Sequence, residues 1–270
     1  MRLAILISGR IFRYDKCLLP LLQKNTQINI DLFVSINDID SYYYTLVKKD
    51  LSPWLKDIYI NLYEFPLNFN HTHIGTPGYI CINSTYKPLN QMSMYFNDNN
   101  AFKMAIQYSK QYNFTYDVIM KYRADIINSI LPNFHIEPIK PDILYYARPI
   151  CCFITHGLFK VPCISDAWCW GSPTIMEKYC DTYNFVLKTL ETTNGNYYIA
   201  FEDCITDNCY DKHLKFLIIN LEYHLDINRR LACIKFGKNF NAPIKDSLTH
   251  LVFNTSDITI NPDIPPIVQE

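Results

Sequence analysis

The stretch Tyr116-Asp117-Val118-Ile119-Met120-Lys121-Tyr122-Arg123-Ala124-Asp125 runs from an apolar, β-branched segment directly into an arginine and a carboxylate. Such a run reads as a buried strand that presents Arg123 and Asp125 at its carboxyl edge. In open α/β sheets that edge is where ligands bind. A carboxylate there can hold a divalent cation against a diphosphate, while Arg123 or Lys121 answers phosphate charge directly. The competing reading is a strand that merely stops at a surface Arg/Asp pair, so the rest of the chain has to decide.

Working outward toward the N-terminus, residues 91–112 carry Tyr95, Phe102, Ala105 and Ile106 on one side and Lys103, Gln107, Lys110 and Gln111 on the other. That spacing predicts a long amphipathic helix leading into the strand. Leu3 to Ile7 is an apolar run that fits a strand buried on both faces, ending at Ser8-Gly9-Arg10 and followed by Phe12-Arg13. A helix is expected over 14–23, with Pro20 near its middle or marking an irregular end. A second strand is expected over 28–36, ending at Asn37-Asp38, then a helix from 40 or 41 to about 49 and a third strand over 57–62. This alternation is the signature of a parallel α/β sheet. Between about 65 and 89 the pattern gives way to Pro, Gly, Asn and His, including His71-Thr72-His73, and reads as a lid or binding loop. Two histidines without a third ligand of clear spacing are a weak metal signal.

Toward the C-terminus, 143–147 is a strand candidate, 149–162 reads as irregular, and Ser165 to Ser172 forms a short aromatic strand that breaks at Gly171. Ser172 and Pro173 suit the cap and first position of a helix continuing over 174–183. Helices are expected over 184–191 and 202–213, and a late strand over 214–223. The tail from Pro262 to Glu270, with its three prolines, is expected to pack loosely.

At 270 residues and 49% hydrophobic, the chain can bury a large core. Lys plus Arg (25) nearly balances Asp plus Glu (26), which argues against a surface built for a nucleic-acid backbone. The 10 cysteines contain no C-x-x-C pair, so they read as reduced, mostly buried thiols rather than a zinc site or a disulfide framework. The opening MRLAILISGR has too short an apolar run for a signal peptide or membrane span, so the expected location is cytoplasmic.

Taken together these segments resemble glycosyltransferases of the nucleotide-diphospho-sugar transferase (GT-A) type, of a group found in capsule-building microbes and large viruses. The resemblance rests on Ser8-Gly9 with Arg10 and Arg13, on Gln91 and the Ala101-Phe102 helix, on Tyr116-Asp117 to Arg123-Ala-Asp125, and on Asp166-Ala-Trp-Cys-Trp-Gly171-Ser172 followed by Met176 and Tyr179. It covers roughly residues 1–225, in order. It implies a single domain forming a three-layer α/β/α sandwich on a mostly parallel sheet. A Rossmann-like nucleotide-binding half would span 1–126, an acceptor-binding half 127–230 and a C-terminal extension 231–270.

The implied activity is transfer of a sugar from a UDP- or GDP-sugar to a hydroxyl of a glycan or glycoprotein, as a hexosyl- or pentosyltransferase. Ser8, Gly9, Arg10, Arg13, Asn37, Gln91, Lys121, Arg123 and Asp125 are the expected nucleotide- and donor-binding residues. Asp166 and Glu202 are the catalytic candidates, and Trp168 and Trp170 are expected to stack on the acceptor. Asp125 would hold Mn or Mg, yet the family's Asp-x-Asp signature is Arg123-x-Asp125 here, which leaves metal dependence open. The plainer rivals are a simple turn at Ser8-Gly9-Arg10, core tryptophans, a turn cap at Asp166 and a charge that favours its helix N-terminus at Glu202. A sugar nucleotidyltransferase and an inactive carbohydrate-binding or scaffold protein of the same fold remain the alternatives.

Overall fold

A computed structural model describes residues 1–9, 11, 13–37, 41–61, 88–127, 131–132, 134, 139–147, 153–156, 159–162, 164, 166–193, 201–219, 224–225 and 259–260. In chain order the first elements are β1 (Arg2–Gly9), α1 (Leu18–Lys24), β2 (Asn29–Asn37), α2 (Ser41–Leu51), β3 (Leu55–Asn61), α3 (Pro88–Gln111), β4 (Val118–Tyr122) and β5 (Ile126–Ile127). There follow β6 (Ile143–Ala147), β7 (Phe153–His156), β8 (Phe159–Pro162), β9 (Trp168–Gly171), α4 (Pro173–Cys180), α5 (Thr182–Thr192), α6 (Phe201–Asp211), β10 (Lys215–Ile219), β11 (His224–Leu225) and β12 (Thr259–Ile260).

One sheet of eight strands carries the molecule, in the order β12-β10-β6-β9-β4-β1-β2-β3. Its strands are parallel except β9, which lies antiparallel between β4 and β6, and the edge strand β12. Successive side chains leave a strand on opposite faces, so β1 divides its apolar run between two cores. Leu3, Ile5 and Ile7 pack with Leu18, Leu21 and Leu22 of α1 and Val47 and Leu51 of α2. Ala4 and Leu6 pack on the other side with Tyr95, Ala101, Phe102 and Ala105 of α3, Met176 and Tyr179 of α4, and residues of α5 and α6. The result is the expected α/β/α sandwich, with a sheet continuous through the proposed halves.

The chain lays β1, β2 and β3 outward in one direction and then, through α3, returns to place β4 on the other side of β1. The strand order therefore reverses between β1 and β4, and a crevice opens outside their carboxyl ends at such a point. The antiparallel β9 opposes Trp168 to Tyr122, which brings the residues just before β9 to that same edge.

Several boundaries differ from expectation for physical reasons. Pro20 falls in the first turn of α1, where its missing N–H has no helical partner to lose. Residues 149–162 include the β7–β8 hairpin, whose four-residue strands are too short for alternation to register in the sequence. Ser172 caps α4 as expected: its Oγ accepts the Ile175 N–H, with Pro173 at the first position. Of the stretch 65–89 expected to form a loop, residues 65–87, with His71 and His73, lie outside the described residues and 88–89 open α3 instead; the tail beyond Ile260 also lies outside them.

Candidate functional site at the switch point between β1 and β4

β1 ends at Ser8 and Gly9 beside the end of β4, since Leu6 already pairs with Lys121. Gly9 has φ 83, a left-handed conformation that residues with a Cβ rarely adopt. The turn thus requires glycine and lets the backbone leave the strand sharply at the edge. Arg13, with φ 67, takes the left-handed region too, in the turn before α1.

Alternation sends Ser8 and Lys121 to the α3 face, where one helical carboxylate meets both. Asp98 accepts a hydrogen bond from Ser8 Oγ on one oxygen, and Lys121 Nζ donates to the other at 2.6 Å. Lys121 is 1% exposed and Asp98 3%. The Lys121 ammonium also lies 5.9 Å from the centre of the Tyr179 ring. Burial pushes the Asp98 carboxyl up against the pull of Lys121, while the Lys121 ammonium, which burial alone would weaken, is raised by the charges of Asp98 and Asp166. The direction on Lys121 is the firmer one, because a carboxylate in direct contact favours its protonated form.

Beyond the strand ends Arg123 holds Asp125 in a bidentate pair, Nε to Oδ1 at 3.0 Å and one terminal nitrogen to Oδ2 at 2.8 Å. Its other terminal nitrogen stands 3.6 Å from Asp166 Oδ2. One guanidinium thus bridges two carboxylates brought from different elements, Asp125 following β4 and Asp166 preceding β9. The Arg123 N–H donates to the Ala167 carbonyl at 2.9 Å and locks the two segments together. On the far side of β1, Asn37 Oδ1 accepts from Ser93 Oγ at 2.8 Å and from Asn97 Nδ2 at 2.9 Å, and Ser35 Oγ donates to Asn97 Oδ1 at 2.8 Å. These bonds staple α3 to the end of β2.

No protein-family model matches the chain, and no curated protein sequence does. The solved structures to which the chain is similar include the following three. The apo form of the glycosyltransferase GlyE of Streptococcus pneumoniae is 13% identical over 87% of this chain and 49% of its own, with a TM-score of 0.40. This chain therefore spans about half the length of GlyE. Mouse xyloside xylosyltransferase 1 is 9% identical over 81% of this chain and 85% of its own, with a TM-score of 0.44. A nucleoside-diphosphate-sugar pyrophosphorylase of Vibrio cholerae is 10% identical over 81% and 92%, with a TM-score of 0.41. Likenesses this loose carry no residue's role, so roles have to come from the chain's own geometry.

That geometry brings Ser8, Gly9, Arg123, Asp125 and Asp166 to one edge, with Asn37 beside them at the end of β2 and Gln91 in the first turn of α3. It sets three expected residues elsewhere. Lys121 is sealed beneath the edge in its pair with Asp98, so it can act on a ligand only through its field. Trp168 and Trp170, 0% and 2% exposed, are core residues. Trp168 meets Tyr122 edge-on with ring centres 5.5 Å apart, and Trp170 stacks on Tyr145 at 6.0 Å. Neither ring offers a face to an acceptor, because sheet pairing turns both into the layer that Tyr122 and Tyr145 fill. Arg10 and the side chain of Glu202 lie outside the described residues; Glu202 falls in the first turn of α6.

Asp98 is the site residue the sequence reading missed. Its signal was its helical phase: Tyr95, Ala101, Phe102 and Ala105, which share its face, are all buried. A carboxylate on that face, opposite the lysine of an otherwise apolar strand, calls for the pairing observed.

Asp125 is the residue expected to hold Mn or Mg. Both of its oxygens are engaged by Arg123, whose guanidinium stands between Asp125 and Asp166 and already supplies positive charge there. As arranged, these residues do not fit a divalent cation. Among the described residues no group of three or more His, Cys, Asp or Glu side chains is placed to share one. Among them, too, no helix is long and apolar enough to cross a membrane.

Proposed function

We propose that the chain is a glycosyltransferase that moves a sugar from a nucleoside diphosphate, UDP or GDP, to a hydroxyl of a glycan or glycoprotein acceptor. The observation that supports this reading is the Asp125–Arg123–Asp166 bridge at the point where the strand order reverses, beside the Ser8-Gly9 turn. In the reaction the acceptor oxygen bonds to the anomeric carbon, the bond from that carbon to the diphosphate breaks, and the diphosphate leaves with the electron pair. The site must therefore offer fixed positive charge to the leaving group and a base for the acceptor's proton.

Arg123 is assigned the first role. Its guanidinium is held in place by Asp125, so little ordering is left to do when phosphate arrives. Arg13, from the turn after β1, and Arg10 are assigned to the same anion. Asp166 is assigned the proton, with Glu202 as the second candidate. Asn37, whose carbonyl is taken by Ser93 and Asn97, keeps its amide nitrogen to donate to the nucleoside.

Calorimetry with UDP, GDP, UTP and GTP tests the reading. A nucleoside diphosphate is expected to bind and to be favoured over its triphosphate. A preference for the triphosphate would move the assignment to a sugar nucleotidyltransferase, and no binding by any of the four would overturn it. Once a donor is found, Asp166→Asn is expected to lower turnover by about 10²–10⁴-fold with donor affinity kept.

A further inference from the structure

Away from the crevice, β3 closes one end of the sheet, and among the described residues no strand lies on its outer side. The ladder with β2 tells which of its backbone groups point outward. The Leu32 N–H donates to the Trp54 carbonyl at 2.8 Å, so Leu32, and by alternation Val34 and Ile36, turn their backbone groups toward β3. In a parallel ladder such a residue bonds the two neighbours of its partner, not the partner itself. The partners of Val34 and Ile36 are Ile58 and Ile60. Asp57, Tyr59 and Asn61 therefore face inward, and Ile58 and Ile60 offer their N–H and C=O groups outward. The Ile58 N–H agrees: it donates to the side chain of Asp57 at 2.8 Å.

The same stretch leaves apolar surface in water. Tyr59 is 46% exposed and Ile60 37%, consecutive residues on opposite faces of the strand. Edge strands are ordinarily blunted by charge, and Lys56 and Asp57 do this for the first half of β3. Its second half, Ile58 to Ile60, carries no charge. An apolar edge with outward donors and acceptors is a template for another strand.

We propose that this template is filled by β3 of a second copy of the chain, antiparallel, about a two-fold axis through Tyr59. A two-fold interface sets residue i opposite j and j opposite i, and its hydrogen-bonded pairs must join outward residues. Centring on Tyr59 pairs Ile58 with Ile60 of the second copy, and Ile60 with its Ile58. Both outward residues are then used twice. Centring on Ile58 would draw the irregularity at Lys56 into the ladder, and centring on Ile60 would pair that residue alone within β3. With Tyr59 on the axis the two tyrosines meet, and each Asp57 stands opposite Asn61 rather than opposite the other Asp57, where like charges would repel. Asp57 still opposes association, because it holds the Ile58 N–H that the second copy needs. Antiparallel pairing turns the two crevices to opposite edges of the joined sheet, so neither copy completes the site of the other.

Sedimentation velocity on the full chain across the micromolar range tests the pairing, and a reversible monomer–dimer equilibrium is expected. Asp57→Ala, which frees the Ile58 N–H, is expected to tighten the dimer about fivefold. Tyr59→Lys, which sets two like charges face to face on the axis, is expected to weaken it about tenfold. Both side chains are exposed, so the urea midpoint of the monomer should stay close to that of the natural chain. Tyr59→Cys reads the register. Opposed residues of a non-hydrogen-bonded pair have Cα atoms about 4.5 Å apart, within the span of a disulfide, so this variant is expected to cross-link under mild oxidation. Ile60→Cys and the natural chain are expected not to. A chain that is monomeric throughout, or a dimer indifferent to both Asp57→Ala and Tyr59→Lys, would overturn the proposal, as would cross-linking through Ile60→Cys in place of Tyr59→Cys. The variants are expected to bind nucleotides as the natural chain does, so this result is independent of the proposed function.

Discussion

Asp98 and Arg123 show how much of the site is decided by single side chains. Lys121 and Asp98 are buried against each other, so removing one leaves an unpaired charge in the core. Asp98→Ala is expected to lower stability by about 3–5 kcal/mol, measured by urea unfolding. Asp98→Leu combined with Lys121→Met is expected to recover most of that loss, and a double variant no better than the single would show that the pair is not the cause. Arg123 tests the electrostatics at the edge. Nucleotide binding by the natural chain is expected to be indifferent to EDTA or Mn. Arg123→Asp, which replaces the bridging guanidinium with a third carboxylate beside Asp125 and Asp166, is expected to lose about tenfold or more in affinity in EDTA and to regain it with Mn. A natural chain already dependent on Mn would refute the bridge as a substitute for a cation. The sequence displays Arg123, Asp125 and Asp166 plainly because they flank apolar strands. It hides the Asp98 partnership, because pairing across 23 positions is set by how α3 lies on the sheet.

At the scale of elements, the parallel strands are the legible part. β1, β2, β4 and β6 are covered on both faces, so their sequences are nearly continuous apolar runs. β9 was legible as a strand from its aromatics, but not as one running backwards, since direction depends on connections rather than on residue type. Its placement has a consequence for α4. Ser172 Oγ accepts the Ile175 N–H and also donates to the Pro141 carbonyl at 2.7 Å, tying the start of α4 to the segment before β6. Ser172→Ala is expected to lower stability by about 1 kcal/mol, or roughly 2–4 °C in Tm. Ser172→Asp, which caps equally well but cannot donate to Pro141, is expected to recover only part. Full recovery would assign the whole effect to the cap.

For the whole molecule, the two cores on either side of the sheet were implied by the alternation of helix and strand, whereas the reversal of strand order between β1 and β4, which positions the site, is set by the path of the chain through α3 and has no sequence signal. The chemistry stored in the α3-side core was only half visible. Reduced, mostly buried thiols were expected, and among the described residues Cys17, Cys169, Cys180, Cys204 and Cys209 are thiols and are buried. Burial raises Cys169 from an ordinary value of 9.0 to about 12, and lifts Cys180 and Cys209 well above that ordinary value. A folded-state pKa above the unfolded one means stability fully present below the unfolded value and lost as pH rises toward the folded value. Each such thiol withdraws about 1.4 kcal/mol per pH unit above pH 9, so three together withdraw about 4. The urea midpoint, measured under reducing conditions, is therefore expected to hold steady between pH 7 and 8 and to drop steeply between pH 9 and 10.5. Replacing Cys180 and Cys209 by Ala should flatten that drop, whatever it does to stability at pH 7. A midpoint that stays level through pH 10 would mean that these thiols ionise as freely in the folded chain as in the unfolded one, and that the α3-side core admits water.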